Sequence, residues 1–454
     1  MDYIFINAWC VSAVLSLMIF WCLRRAGLAR LESALCAGSL FPAQLFYLFS
    51  GLNSVVYLFD LCTPIWIVIS LRYWHAADRS VRATALTLLL SAGLLPLFGN
   101  ASPSSDKMAL MLTGVSAYRC VGLCASLIVL TNKFRMIRAD LGRFCLVPCL
   151  ITLAVLIAMG LQEFLGIQTD IVGKLILQDP TRMGNLDFND ARFNVLGFYR
   201  GSTGMLATLS AACAFGLGPS AFGGTVGFAL SLLISCAVIL LCGSKTSLVV
   251  FTALLIISSV ERKHIVLLVL VISASTLFSL IRAGDIEIPE VLPVSLRQFL
   301  ETGGERRDTL GARQEFWSLL GASLDEHPEL LFGLPDPRRS VLIAEGGAHN
   351  EYLSILADGG IVALFLYLVT YLSIFRSSLR NKDPVKRHVG LYVLAGGAIQ
   401  ASTMNHLLAG LLYAPVVFCT VFIYSICISA TRKPQNLGSV IVKGIDTSKR
   451  AIAV

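Results

Sequence analysis

Apolar runs of roughly twenty residues recur from one end of this chain to the other, and they constrain its fold more than any other feature. A hydrocarbon core about 30 Å thick is crossed by about 20 helical residues, because a helix satisfies its own backbone where no water can. The runs at 4–23, 33–51, 54–71, 83–99, 108–130, 144–165, 195–216, 222–242, 246–260, 265–281, 351–375, 389–408 and 411–430 are therefore expected to be transmembrane helices. The fold class is an all-α polytopic membrane protein with about 12–14 spans. With 56% hydrophobic and 14% charged residues over 454 positions, a pair of large soluble domains is excluded.

The formal charge of +8 reads as a topology signal and not as a nucleic-acid surface, because the basic residues cluster in short loops. Arg24/Arg25/Arg30, Arg72/Arg79/Arg82, Lys133/Arg135/Arg138/Arg143, Arg262/Lys263, the Arg376–Arg387 stretch and the Arg432–Arg450 tail fall on one side if every run spans. The positive-inside rule makes that side the cytoplasm and puts the N-terminus outside. The first run lacks a basic leader and a small-residue cleavage site, so it is expected to be retained as a helix. On the opposite face lie two loops far longer than the usual bundle connection, 166–194 and 282–350. Within the second, Gly311–Leu324 has the apolar spacing of a short helix lying on the membrane surface.

All 13 cysteines lie in or at the ends of apolar runs, where cysteine acts as a small hydrophobe. Cys120/Cys124 and Cys145/Cys149 share helix faces, but no histidine or carboxylate stands beside them to complete a metal site, so core packing is the reading.

Cations on the external side carry more information. Arg200 sits about one turn inside the seventh run, where an unpaired guanidinium is costly and needs an anionic partner. Lys245, in Gly243-Ser244-Lys245-Thr246-Ser247, occupies a short external turn where basic residues are disfavoured. Arg313 opens the loop helix. Three cations facing one cleft suit a diphosphate, since arginine meets phosphate oxygens in pairs and lysine adds a point charge. Local pairing is the alternative: Arg200 with Asp187 or Asp190, Arg313 with Glu315 or Asp308, and Lys245 snorkelling to headgroups. Arg119, beside Tyr118, reads as half of a buried ion pair with Asp60. Of six histidines, His75, His264 and His388 fall on the basic side, His327 in a surface turn and His406 near a span end. That leaves His349, held where the long loop enters a span, as the candidate base, with Asn350 or Glu351 as possible orienting groups.

Three segments together carry a family resemblance: Gly311-Ala312-Arg313-Gln314-Glu315-Phe316-Trp317, then His327-Pro328 with Leu331-Phe332-Gly333-Leu334, then His349-Asn350-Glu351-Tyr352-Leu353 with Gly359-Gly360-Ile361. This pattern resembles the bacterial O-antigen ligase and polymerase superfamily over about 195–375. The Arg200-bearing run and the Gly243–Ser247 turn also resemble that family, although Lys245 stands where arginine is common. The resemblance implies a GT-C-like fold with a large periplasmic loop containing short helices. Three parts follow: 1–194 as N-terminal helices and first loop, 195–375 as the catalytic module including loop 282–350, and 376–454 as C-terminal helices and tail.

It further implies a metal-independent, inverting glycosyltransferase of the bacterial inner membrane, without cofactor, acting at the periplasmic face. The donor is a glycan on undecaprenyl diphosphate, and the acceptor is another glycan or lipid A–core. Arg200, Lys245 and Arg313 then bind the diphosphate, and His349, Arg313 and Arg200 form the catalytic set. A surface-polysaccharide polymerase is the first reading and an O-antigen ligase the alternative, with transfer to protein a third activity. A transporter or flippase is the reading from another class, disfavoured because no two halves carry matching interrupted helices.

Overall fold

A computed structural model describes residues 4–5, 8–42, 44–47, 55–99, 107–137, 141–165, 167–168, 200–242, 244–262, 318, 333, 350–403 and 414–429. The expected span at 265–281, loop residues other than 167–168, 318, 333 and the loop's end at 350, and the C-terminal tail lie outside them. The described chain is nearly all helical. Helices α1 (Ala8–Arg25), α2 (Arg30–Ser39), α3 (Leu58–Tyr73) and α4 (Arg79–Leu88) lead through a π-turn at Leu89–Leu94 into α5 (Leu95–Gly99). Then follow α6 (Lys107–Met136), α7 (Leu141–Leu165), α8 (Arg200–Leu217), α9 (Thr225–Cys242), α10 (Lys245–Arg262), α11 (Glu351–Leu379), α12 (Pro384–Thr403) and α13 (Ala414–Ile428).

Among the described residues, five segments are long and apolar enough to cross a membrane: Arg79–Leu97, Thr113–Met136, Arg143–Leu161, Thr225–Cys242 and Glu351–Leu379. Shorter apolar helices lie at Ser202–Leu217, Thr246–Glu261 and Ala414–Ile428. The burial pattern is that of a bundle in lipid. On α3, Leu61, Ile65, Val68 and Leu71 are exposed at three- and four-residue spacing, an apolar stripe turned outward. The chain is a multi-pass membrane protein.

Two helices form the axis. From Ser202 to Leu217, α8 is buried at every position, and its small residues let neighbours approach to backbone distance, as packing in lipid requires. A Cβ at Gly216 would collide with the backbone of Val389 on α12. Helix α13 is buried along its whole length; its Phe422 meets Phe134 of α6 and Phe144 of α7 with ring centroids 5.4 and 6.4 Å apart, while Phe418 meets Phe59 and Trp66 of α3.

The second expected span departs from a single helix. At Phe41-Pro42 the missing N–H stops α2, and the chain continues as strand β1 (Gln44–Tyr47), antiparallel to β2 (Val55–Tyr57), which runs into α3. At the N-terminus Ile4–Phe5 pairs in parallel with Ile167–Gln168, and α1 begins at Ala8, later than the apolar run suggests.

Proline shapes two helices. Pro64 cannot donate to the carbonyl of Asp60, and Tyr118 of α6 donates to that oxygen instead, at 2.7 Å. Pro96 sits just past the π-turn, where Gly93 lies close to Cys120. Nearby, Cys124 donates to the Ala85 carbonyl at 3.2 Å, so these cysteines pack in the core as expected.

The Arg119–Asp60 pair is also present. The guanidinium donates through Nε and Nη2 to the two carboxylate oxygens, each at 2.7 Å, and lies over the Tyr57 ring. The Tyr57 backbone N–H donates to the same carboxylate at 2.9 Å. Basic residues gather at one end of the bundle: Lys133 pairs with Glu32 at 2.5 Å, Arg135 with Asp78 at 2.8 Å, and Lys386 donates to the carbonyl of Ser429, just past α13, at 3.0 Å.

Removing one member of the buried pair strands the other. Asp60→Ala is expected to cost about 3–5 kcal/mol of stability in detergent, whereas Asp60→Leu with Arg119→Met restores most of the loss. Thermal unfolding of the purified variants checks this; equal destabilisation by the single and double changes would contradict it.

Candidate functional site

Opposite the basic end, three helix N-termini meet around the last turns of α12. The first belongs to α8, which starts at Arg200. One turn on, Gly204 has no side chain because none fits: a Cβ would lie 2.9 Å from Cβ of Ser244 and collide with Oγ of Ser247. Those serines open α10. Ser244 donates its hydroxyl to Ser247 Oγ at 2.9 Å and accepts from the Ser247 N–H at 3.4 Å, an N-cap of the usual polar kind. Lys245 is the first residue of that helix. The backbones carrying Arg200 and Lys245 are thereby packed against each other.

The third N-terminus is that of α11. Asn350 caps it, its Oδ1 accepting from the Leu353 N–H at 3.2 Å, while its Nδ2 donates to the Ser402 carbonyl of α12 at 2.9 Å. Tyr352 donates to Ala398 of the same helix at 3.3 Å. Gln400, between those two contacts, accepts from Thr208 of α8 at 2.8 Å. Helix α12 thus ties the residue following His349 to the helix begun by Arg200, and through Gly204 to the turn holding Lys245. All three N-termini present N–H groups and the positive end of a dipole.

Helix α11 is two helices joined at a break. Gly360 has φ 75° and ψ −173°, a conformation closed to residues with a Cβ. In a straight helix Glu351 and Tyr367 would be about 24 Å apart, yet the Tyr367 hydroxyl donates to the Glu351 carboxylate, so the arms 351–359 and 361–379 fold sharply on each other. Glu351 is fully buried there, and the Tyr352 and Tyr367 rings lie edge to face at 6.2 Å. Gly359 at the break packs on Leu95 and Pro96 of α5. Gly333 of the long loop, with φ 105°, approaches the same place; a Cβ on it would stand 2.9 Å from the Asp358 carbonyl oxygen.

The structure therefore packs the N-terminal turns of α8 and α10, which carry Arg200 and Lys245, on each other, and holds Asn350 on the last turn of α12, which also bonds α8. The side chains of Arg200 and Lys245, and all of Arg313 and His349, lie outside the described residues. The same holds for the expected loop helix over 311–324 except Ser318, which is helical and exposed. Sequence reading missed the fold-back at Gly360, the Glu351–Tyr367 bond and the attachment of α12. Of these only the Gly359-Gly360 pair leaves a local signal.

Residues 229–368 match the family model described as O-antigen ligase. The match takes in α9, α10, the long loop and the break of α11, hence the positions of Lys245, Arg313, His349, Asn350 and Glu351. It supports the O-antigen ligase and polymerase superfamily. No curated protein matches the chain significantly.

Gly204→Ala is expected to weaken the α8–α10 contact by about 1–3 kcal/mol, and Ser247→Ala to recover part of that loss because Ser247 Oγ is the nearest obstacle. A double-mutant cycle on thermal stability reads the coupling; strictly additive effects would show that the two positions do not meet.

Proposed function

We propose that this chain, carrying an O-antigen ligase-type domain, is a glycosyltransferase that moves a glycan from a polyprenyl diphosphate to an acceptor hydroxyl at the periplasmic face of the inner membrane. The observation that supports the reading is that the N-terminal turns of α8 and α10 pack on each other while the N-terminus of α11 is held on the end of α12, the helix that also bonds α8. Fixed cations and helix N-termini both favour a diphosphate.

In the proposed reaction the acceptor oxygen attacks the anomeric carbon from the face opposite the leaving group. The bond to the diphosphate oxygen breaks, and the diphosphate departs with the electron pair, so the anomeric centre inverts. Arg200 and Arg313, with Lys245, stabilise the charge that develops on the leaving oxygens. His349 takes the proton of the attacking hydroxyl as general base. No metal ion enters this scheme. Asn350 acts through positioning: its carboxamide caps α11 and holds Ser402, which fixes the backbone that delivers His349. Glu351 does the same from the other side through Tyr367. Between the superfamily's activities we take polymerisation, the one that surface, capsular and exopolysaccharide systems share; ligation to lipid A–core uses the same donor chemistry.

Complementation of a deletion strain tests both levels. Wild type is expected to restore surface glycan, and Arg200→Ala, Arg313→Ala and His349→Ala to fail at normal protein abundance, each with at least a hundredfold loss of transfer. Product at wild-type level in Arg200→Ala and His349→Ala would overturn the assignment. Single capped repeat units in the deletion strain mark a polymerase, and intact polymer stranded on the carrier marks a ligase.

A further inference from the structure

At the basic end of the bundle, far from the three N-termini, a groove of about 800 Å³ opens between the start of α4 and the last turns of α11. Arg79 reaches it from α4, and Arg376 and Arg380 from α11. All three are exposed. The carboxylate that also lines the groove, Asp78, is held by Arg135 of α6 at 2.8 Å. Among the described residues no carboxylate pairs with the three arginines, so the groove is a concentrated positive site.

Its walls are not a solvated surface. Val369 and Leu372 line the groove, and Leu372, Leu368 and Phe365 continue it as an exposed apolar stripe along α11 toward the middle of the membrane. Below, two hydroxyl bridges fix the spacing of the helices: Thr84 with Ser373 at 2.6 Å, and Thr370 donating to Thr87 at 2.8 Å. A rigid cleft with three guanidinium groups at its mouth and an apolar track rising from it matches an amphiphile with an anionic head and hydrocarbon tail. Guanidinium groups meet phosphate oxygens in pairs, and basic pockets between transmembrane helices take anionic headgroups.

We propose that this groove is a binding site for an anionic phospholipid of the leaflet at the basic end, its phosphodiester held by Arg79, Arg376 and Arg380 and one acyl chain laid along Leu372, Leu368 and Phe365. The site is separate from the proposed donor site and does not depend on the glycosyltransferase reading.

The test is thermal unfolding of the full-length protein in neutral detergent, titrated with short-chain phosphatidylglycerol, with phosphatidylcholine of the same chain length, and with inorganic phosphate. Phosphatidylglycerol is expected to raise the midpoint saturably where the other two do not. Arg376→Ala and, on the facing helix, Arg79→Ala are each expected to raise the half-saturating concentration about tenfold, the effect of losing one charge-assisted hydrogen bond. Because two helices are probed, a folding defect in one variant leaves the other to decide. Equal stabilisation by phosphatidylcholine would reduce the groove to an apolar surface, and stabilisation by phosphate alone to a bare anion site. Either result, or unchanged titrations in both variants, overturns the proposal.

Discussion

The break at Gly360, closed by the Tyr367–Glu351 hydrogen bond, is the constraint on which the arrangement of both ends of the bundle depends. A buried carboxylate in lipid is tolerated only where donors meet it, and a tyrosine on the far arm does so. That contact requires the short arm to fold back along the long one. The fold-back seats Asn350 on Ser402 while the long arm carries Arg376 and Arg380 to the other end. One helix therefore links the candidate donor site and the basic groove.

Around that break the bundle is organised by close backbone approach. Glycine at 204 lets α8 meet the Ser244–Ser247 turn, glycine at 216 lets it meet Val389, and glycine at 122 lets α6 meet Thr63. Hydrocarbon tails are as apolar as leucine, so helices in lipid gain little from greasy interfaces and much from small ones. This is why the most buried polar-rich helix, α8, is the hub: Ser202, Thr203, Thr208 and Ser210 are all buried, and Thr208 and Ser210 bond to neighbouring helices. The same closeness sets the α8 and α10 N-termini side by side, so the positive ends of two backbone dipoles lie together.

What could be read from the sequence was whatever lipid imposes locally. Hydropathy located most of the described helices, the clustering of arginine and lysine picked out the basic end, and the cost of a lone guanidinium predicted that Arg119 faces Asp60, as it does. Spans containing irregular backbone read less well. The 33–51 run has uniform hydropathy although Pro42 stops its helix, and the π-turn at Leu89–Leu94 is set by Pro96 and by packing on α6, which hydropathy cannot register. Contacts such as Asn350 with Ser402, or Thr208 with Gln400, join residues 52 and 192 positions apart and leave no periodic trace. The motif around His349 was visible as a motif. Its mechanical role, gripping α12 with Asn350 and Tyr352 while Glu351 holds the far arm, emerged only from the fold.

That mechanical role bears on how labour is divided within the motif. Asn350 spends its acceptor on the helix cap and a donor on Ser402, and a neutral carboxamide is in any case no proton base. Glu351 is buried at full depth and bonded to Tyr367, which removes it from an external acceptor hydroxyl. Two neighbours with polar side chains are thus turned inward as anchors, and they hold the backbone on which the preceding residue stands. On the proposed reaction this leaves the proton transfer to His349, since imidazole is the side-chain type suited to proton exchange near neutral pH.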